Sequence, residues 1–122
     1  MVLVAEDQAI TALEIKAILK RRGYNKVLCF CRGENAIEYL LKEDPDFAIL
    51  DIRLADDVSG IDIASTLKQK DIPFIFISAF SDPENYETAK EMNPAGIIIK
   101  PFDEPALLAV LDNIHNNLTI KD

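Results

Sequence analysis

Five side chains of complementary chemistry each stand at the end of a short apolar run in this sequence. Glu6 and Asp7 follow VLVA, Asp51 follows FAIL, Ser78 follows FIFI, and Lys100 follows GIII. Together they supply three carboxylates, one hydroxyl and one ammonium group. Two carboxylates about 4 Å apart repel each other by roughly 4 kcal/mol at an effective dielectric constant of about 20. Acids gathered in one place are therefore stable only if their pKa values rise or a cation joins them.

The oxygen ligands of this set predict a magnesium site, because Mg²⁺ prefers carboxylates and keeps several water positions open. Glu6, Asp7 and Asp51 would hold the metal, which would also reduce the repulsion between Asp51 and an incoming phosphoryl group. Asp51 could then act as a carboxylate nucleophile and become an acyl phosphate. The Lys100 ammonium would neutralise a phosphoryl oxygen, and the Ser78 hydroxyl would donate to another.

The apolar runs alternate with helix-like segments, a pattern that predicts a parallel sheet with helices on both faces. Strands are predicted at 2–6, 26–30, 46–51, 73–78 and 96–100. In an open sheet of this kind, ligands bind beyond the carboxyl ends of the strands, where the strand order reverses. We therefore expect the five chemically active side chains to meet at one edge of the sheet.

Helices are predicted between these strands and after the last one. The first should end at Gly23 and carry an apolar stripe of Ile10, Leu13, Ala17 and Ile18. The fourth should begin at a helix cap formed by Ser81-Asp82-Pro83, and the fifth should bury Leu107, Leu111, Ile114 and Leu118. His115, the single histidine, is expected on the surface of that last helix.

Size and charge limit the classes of function. A chain of 122 residues, nearly half of them apolar, is expected to form one domain over residues 1–122. Its net charge of −8 disfavours nucleic-acid binding. Cys29 and Cys31 are expected to be buried or half-buried free thiols rather than a zinc or redox site. Neither a signal peptide nor a membrane-spanning stretch is found, so a cytoplasmic protein without membrane contact is expected.

The active residues resemble those of the receiver domains of two-component response regulators, over essentially the whole chain. The matching features are Glu6-Asp7, LDI around Asp51, Ser78-Ala79, and Lys100 followed by Pro101. The resemblance implies a doubly wound, flavodoxin-like α/β fold with five parallel strands in the order 2-1-3-4-5. It also implies a cis peptide bond before Pro101, which X-Pro bonds allow at low cost.

For function, the resemblance implies phosphorylation of Asp51 by the phosphohistidine of a sensor histidine kinase or a phosphotransfer protein. Mg²⁺ would be bound by Glu6, Asp7, Asp51 and the backbone carbonyl of Arg53. A downstream effector would be recognised by the face formed by helix 4, strand 5 and helix 5. No enzymatic activity is expected beyond self-phosphorylation and self-dephosphorylation, and both a stand-alone receiver and a piece of a longer protein fit this length.

The sequence departs from the family pattern at two places. Ala55 replaces the usual proline in a loop that is one residue longer before Gly60, and Ile97 stands where Tyr or Phe is usual. The switch is therefore expected to rely on backbone and helix-4 movement. Asp56 and Asp57 in that loop are interpreted as solvated acids.

Two further positions are predicted to govern how long the acyl phosphate lasts. Arg53 and Phe80, two residues after Asp51 and Ser78, would flank the attacking water, and the bulk of Phe80 predicts slow hydrolysis. Arg53 could place a second cation near the phosphoryl oxygens, or fold onto Asp56 or Asp57.

Three other functions compete with this interpretation. A receiver-like interaction module that is not phosphorylated is disfavoured by the intact Asp51, Lys100 and acidic pair. A phosphatase with an aspartyl-phosphate intermediate is disfavoured because its D-x-D motif does not match AEDQAI after the first strand. Flavin or dinucleotide binding is disfavoured because no G-x-G-x-x-G motif occurs and acids occupy the place where phosphate-binding amides would be needed.

Overall fold

A computed structural model describes residues 1–79 and 81–117, with side chains up to residue 114. Strands and helices alternate along the chain as β1 Val2–Ala5, α1 Ala9–Arg21, β2 Val27–Phe30, α2 Gly33–Leu40, β3 Phe47–Asp51, α3 Gly60–Gln69, β4 Phe74–Ala79, α4 Pro83–Glu91, β5 Gly96–Lys100 and α5 Glu104–Asn117. Within the described residues, no helix has both the length and the apolar character needed to cross a bilayer. The five strands form one sheet in the order β2-β1-β3-β4-β5, which confirms the predicted doubly wound α/β fold.

The register of the sheet explains why the acidic residues meet. All neighbouring strands are parallel, and Ala5 at the end of β1 pairs with Leu50 in β3. The next residues, Glu6 and Asp51, therefore leave adjacent strands at the same level. The strand order reverses between β1 and β3, so both acids lie at the switch point of the sheet.

Each face of the sheet has its own apolar core, since alternate strand residues point to opposite faces. Val2 and Val4 of β1 pack in a cluster with α1 and α5, while Leu3 and Ala5 pack in a second cluster with α2, α3 and α4. Strands β1 and β3 are buried along their whole length. A strand buried on both faces keeps its terminal carboxylate in a fixed position.

The apolar stripe predicted for α1 is wrong in part. Ile18 is buried, but Ala17 is exposed, and Ile10 and Leu13 are 74% and 66% exposed. The helix instead packs through Ala12, Ile15, Ile18 and Leu19. Both sets have helical spacing, so periodicity alone did not distinguish the core face from an apolar surface.

Helix α4 contributes little to the core. Ala89 is its one buried residue, whereas α3 buries Gly60, Ile63, Ala64 and Leu67. Polar contacts lie near its two ends, where Asp82 immediately before the helix bonds Arg53 and the carbonyl of Met92 just after it accepts a hydrogen bond from Lys68. α4 is therefore the helix least anchored by apolar burial among those whose side chains are described throughout.

Most of the apolar stripe predicted for α5 is confirmed. Leu107, Leu111 and Ile114 are buried in the α1/α5 cluster. Leu118 lies outside the described residues, as does the side chain of His115. Cys29 and Cys31 are free thiols, as predicted, but both are exposed on the edge strand β2 and its end rather than buried.

The long loop between β3 and α3 is anchored to the start of α2. Asp56, interpreted from sequence as a solvated acid, has a side chain only 8% exposed and accepts hydrogen bonds from the backbone amides of Gly33 (2.8 Å) and Glu34 (3.0 Å). These bonds lower the pKa of Asp56. The Ala55 amide also donates to the Cys31 carbonyl at 3.1 Å. The carboxylate supplies a helix cap that the residue just before α2, Arg32, does not provide.

We expect Asp56→Ala to lower the melting temperature by about 4 °C, because the first amides of α2 lose their acceptor. Thermal unfolding at pH 7 measures this change. The matched control is Asp57→Ala, which removes the same charge from an exposed neighbour. Equal effects of the two substitutions would show that Asp56 does not act as a cap.

Candidate functional site

Three carboxylates converge at the switch point of the sheet, as predicted. Glu6, Asp7 and Asp51 each offer a ligand oxygen, and these oxygens all lie within 4.8 Å of one another. Glu6 is 2% exposed and Asp51 is 7% exposed, whereas Asp7 is exposed. The cluster thus has a buried floor and one open side.

The Lys100 ammonium group lies among these acids. Lys100 ends β5, and its Nζ donates to Asp51 Oδ2 (2.9 Å), Glu6 Oε2 (3.2 Å) and Gln8 Oε1 (3.3 Å). An ammonium group has three donors, so all of them are engaged. Burial lowers the pKa of Lys100, but the hydrogen bonds to Asp51 and Glu6 outweigh this effect and raise it. Lys100 is therefore a fixed positive charge in contact with Asp51.

One lysine does not neutralise three acids. Burial, together with a hydrogen bond to Asp51, raises the pKa of Glu6 to about 7. Glu6 Oε2 accepts a hydrogen bond from the backbone N–H of Gln8 at 3.1 Å. Oε1 lies 3.0 Å from Lys100 Nζ without the geometry of a hydrogen bond, and it is buried with no other bonding partner among the described residues. The site thus keeps an unsatisfied carboxylate oxygen and a shortage of positive charge.

These features fit a divalent cation with hard oxygen ligands. The donor set is entirely carboxylate, one donor is exposed to water, and one buried oxygen has no hydrogen bond. Mg²⁺ usually takes one or two carboxylates and retains waters, as this half-open cluster allows. Glu6, Asp7 and Asp51 are the residues that could hold it.

A cavity of about 250 Å³ opens beside Asp51. Its walls are formed by Asp7, Gln8, Asp51, Ile52, Arg53, Ala79, Asp82 and Lys100. The cavity gives Asp51 a route to solvent although the residue itself is nearly buried.

The backbone of Gly60 packs directly against the backbone of Asp51 and Ile52. Its amide donates to the Ile52 carbonyl at 2.8 Å, so the β3–α3 loop returns to the strand where it left. A Cβ at Gly60 would lie 2.1 Å from the Asp51 carbonyl oxygen, and the two atoms would clash at that distance. The close approach of the two backbones therefore requires glycine at this position.

Ser78, a predicted site residue, does not line the cavity in this structure, and neither does the buried Glu6. Ser78 is 1% exposed, and its Oγ donates to the Ala79 carbonyl at 3.4 Å. β4 continues one residue further than predicted, to Ala79, which does line the cavity. A phosphoryl group on Asp51 would have to draw the Ser78 hydroxyl away from that carbonyl.

The Arg53 side chain lines the cavity beside Asp51, but the acid with which it pairs was not expected from sequence. It does not fold onto Asp56 or Asp57; its Nε and Nη2 donate to the carboxylate of Asp82, at 2.8 and 3.2 Å. Its backbone amide lies 3.3 Å from Asp51 Oδ1. Phe80, predicted to shield the phosphoryl group, lies outside the described residues.

Sequence reasoning missed two members of the site. Gln8 accepts from Lys100 and donates to Glu6, and its position directly after the acidic pair was the available signal. Asp82 was interpreted as part of a helix cap, but its side chain makes no capping hydrogen bond and instead pairs with Arg53. The peptide bond between Lys100 and Pro101 is cis, as the resemblance implied.

Sequence comparisons with known proteins match most of this chain. The family model described as the response regulator receiver domain matches residues 2–112. The transcriptional regulatory protein PdtaR of Mycobacterium tuberculosis is 30% identical over 91% of this chain and 54% of its own length. The phyllosphere-induced regulator PhyR of Methylorubrum extorquens is 33% identical over 90% of this chain and 41% of its own. The chain thus spans about half the length of the curated relatives it matches.

Solved structures agree on the fold. The signal receiver domain of a modulated diguanylate cyclase from Desulfovibrio desulfuricans superposes with a TM-score of 0.83 at 32% identity, covering 94% of this chain and 93% of that one. The receiver domain of a signal transduction histidine kinase from Syntrophus aciditrophicus gives a TM-score of 0.83 at 25% identity, covering 99% and 94%.

The raised pKa of Glu6 predicts a pH-dependent loss of stability in the absence of divalent cations. Glu6 stays protonated in the folded protein up to about pH 7, but it is already ionised in the unfolded chain at lower pH. Folding stability therefore falls as the pH rises from about 5 to 8. Relative to Glu6→Gln, which cannot ionise, the native protein should lose on the order of 2 kcal/mol over this range.

Urea unfolding of both proteins at several pH values, with and without excess Mg²⁺, measures this difference. Mg²⁺ should restore the stability of the native protein at pH 8, since a cation that binds the folded state stabilises it by mass action. It should help Glu6→Gln much less. Parallel pH profiles of the two proteins without Mg²⁺ would contradict the assignment.

Proposed function

Because the chain belongs to the response regulator receiver family, we propose that it accepts a phosphoryl group on Asp51 from the phosphohistidine of a sensor histidine kinase or phosphotransfer protein. The observation that carries this proposal is the position of Asp51. Its carboxylate lies on the wall of a 250 Å³ cavity, bonded to Lys100 and within reach of two further acids. A carboxylate so placed is a nucleophile with a charge-neutralising partner already in contact.

In the proposed reaction, an Asp51 carboxylate oxygen attacks the phosphorus of the phosphohistidine. The new O–P bond forms as the P–N bond breaks, and the imidazole leaves with the electron pair of that bond. Mg²⁺ bound by Glu6, Asp7, Asp51 and the Arg53 carbonyl would offset the repulsion between the carboxylates and the phosphoryl oxygens. Lys100, already 2.9 Å from Asp51, would move one of its donors to a phosphoryl oxygen.

The donor must reach a residue that is almost buried, which favours docking beside the cavity. Gln8 lines the cavity and α1 begins at the next residue. The exposed Ile10 and Leu13 then form an apolar surface at the start of that helix. We expect the phosphodonor to contact this surface.

The proposed output is a change in the face formed by α4, β5 and α5. The Ser78 hydroxyl and Lys100 lie on neighbouring strands and would both turn toward the phosphoryl group, drawing the β4–α4 loop with them. Ile97, at the usual aromatic position, is partly buried against the α2/α3/α4 core. We propose that α4 rather than a rotating ring carries the change to a downstream effector in the cytoplasm, and that the domain turns over no substrate beyond its own phosphoryl group.

Asp51→Asn is expected to abolish phosphorylation by acetyl phosphate and Mg²⁺, because an amide cannot act as the nucleophile. Intact mass spectrometry should show one added phosphoryl group on the native protein and none on the variant. Asp57→Asn, an exposed acid in the following loop, should be labelled as efficiently as the native protein. Labelling of Asp51→Asn at the native rate would contradict the assignment, and an unlabelled native protein would favour the interaction-module alternative.

Beryllofluoride, a stand-in for the phosphoryl group, is expected to shift amide NMR signals across residues 78–102. The differential contacts of Ser78 and Lys100 with the phosphoryl group supply the driving energy. Asp51→Asn treated in the same way provides the control and should give no such shifts. Changes confined to Glu6, Asp7 and Asp51 would argue against a switch in this face.

A further inference from the structure

The Arg53–Asp82 ion pair joins the phosphoacceptor to the start of α4. Arg53 is two residues after Asp51, and Asp82 immediately precedes Pro83, the first residue of α4. The guanidinium binds both carboxylate oxygens of Asp82 through two N–H groups, at 2.8 and 3.2 Å. Both residues line the cavity beside Asp51, so the pair is part of the wall that a phosphoryl group would face.

The Asp82 carboxylate accepts hydrogen bonds from the Arg53 guanidinium and from one other side chain. Its side chain is 11% exposed, and it accepts a further hydrogen bond from Asn85 Nδ2 at 2.7 Å. It makes no capping bond to α4, although it occupies the cap position. The hydrogen bonds from Arg53 and Asn85 lower the pKa of Asp82. Asp82 is therefore a buried anion that holds an exposed guanidinium in one orientation.

A phosphoryl group on Asp51 would offer the same guanidinium a second anion. An acyl phosphate on Asp51 would carry a charge of about −2 in place of the single negative charge of the carboxylate, and it would present three phosphoryl oxygens as acceptors. The planar guanidinium fork binds carboxylates and phosphates with similar geometry. Arg53 is attached to the same loop as Asp51, and its side chain is 72% exposed, so burial does not prevent it from reorienting.

We propose that Asp82 is a positioning residue that competes with the phosphoryl group on Asp51 for the Arg53 guanidinium. In the unphosphorylated protein, Asp82 holds Arg53 against the start of α4. When Asp51 carries a phosphoryl group, Arg53 turns toward it, and the start of α4 loses its contact with the β3–α3 loop. This inference rests on the proposed phosphorylation of Asp51 and specifies how that event would reach α4.

Reciprocity between coupled sites gives a measurable consequence. If the phosphoryl group weakens the Arg53–Asp82 pair, then removing the Asp82 carboxylate must strengthen binding of a phosphoryl mimic. We expect Asp82→Asn to bind beryllofluoride in the presence of Mg²⁺ about 5- to 10-fold more tightly than the native protein. The effect should vanish when Arg53 is replaced by Gln, because the competing cation is then absent.

The test is a double-mutant cycle of Asp82→Asn and Arg53→Gln, with beryllofluoride affinity measured by ¹⁹F NMR titration. The Arg53 Nε–H resonance of the native protein, followed in the same samples, should shift on binding. Glu84→Gln is the matched control, because it removes an equal charge from an exposed position in the first turn of α4. Its affinity should stay within about two-fold of the native value.

The outcomes separate this inference from the function on which it rests. A native protein that takes up no beryllofluoride overturns the proposed phosphorylation, and the competition with it. A native protein that binds beryllofluoride while Asp82→Asn binds no more tightly overturns the competition alone. An equal gain in Glu84→Gln, or an Asp82→Asn gain that persists without Arg53, does the same, since it would reflect general charge rather than release of the guanidinium.

Discussion

The repulsion among three carboxylates at the end of β1 and β3 is the constraint on which the rest of the site depends. Two of them are buried, and water cannot screen their charges as it does on the surface. Lys100 offsets part of this repulsion, because its ammonium group forms ion pairs with both Glu6 and Asp51. What remains is a deficit of positive charge, and both a divalent cation and a partly protonated Glu6 are responses to that same deficit.

The strands β1 and β3 and the loop after Asp51 hold the carboxylates in position. β1 and β3 are buried on both faces, which fixes the direction from which their terminal acids leave the sheet. Gly60 lets the following loop approach the backbone of Asp51 within a distance that any side chain would prevent. Asp56 secures the middle of that loop to α2. Asp51 is thus held in one position, although the loop that follows it is long.

Much of this site was predictable because strand ends are local in sequence. The apolar runs before Asp51 and Lys100 located these residues, and parallel pairing brought them to one edge. The partners of long polar side chains were not predictable from sequence. Arg53, for example, pairs with Asp82, which lies 29 positions later in the chain. Asp56 was misjudged for the same reason, because its amide partners lie 22 and 23 positions earlier. The α1 stripe failed because two apolar faces of that helix share one periodicity.

The shallow burial of α4 has a consequence for how the protein opens. Local openings of a folded protein cost less free energy where few apolar contacts are lost. With Ala89 as its one buried residue, α4 should exchange its backbone amides with solvent through fluctuations that leave α1 and α3 intact. A helix with so little apolar burial is easier to displace by the rearrangement of a single ion pair than a deeply packed helix would be.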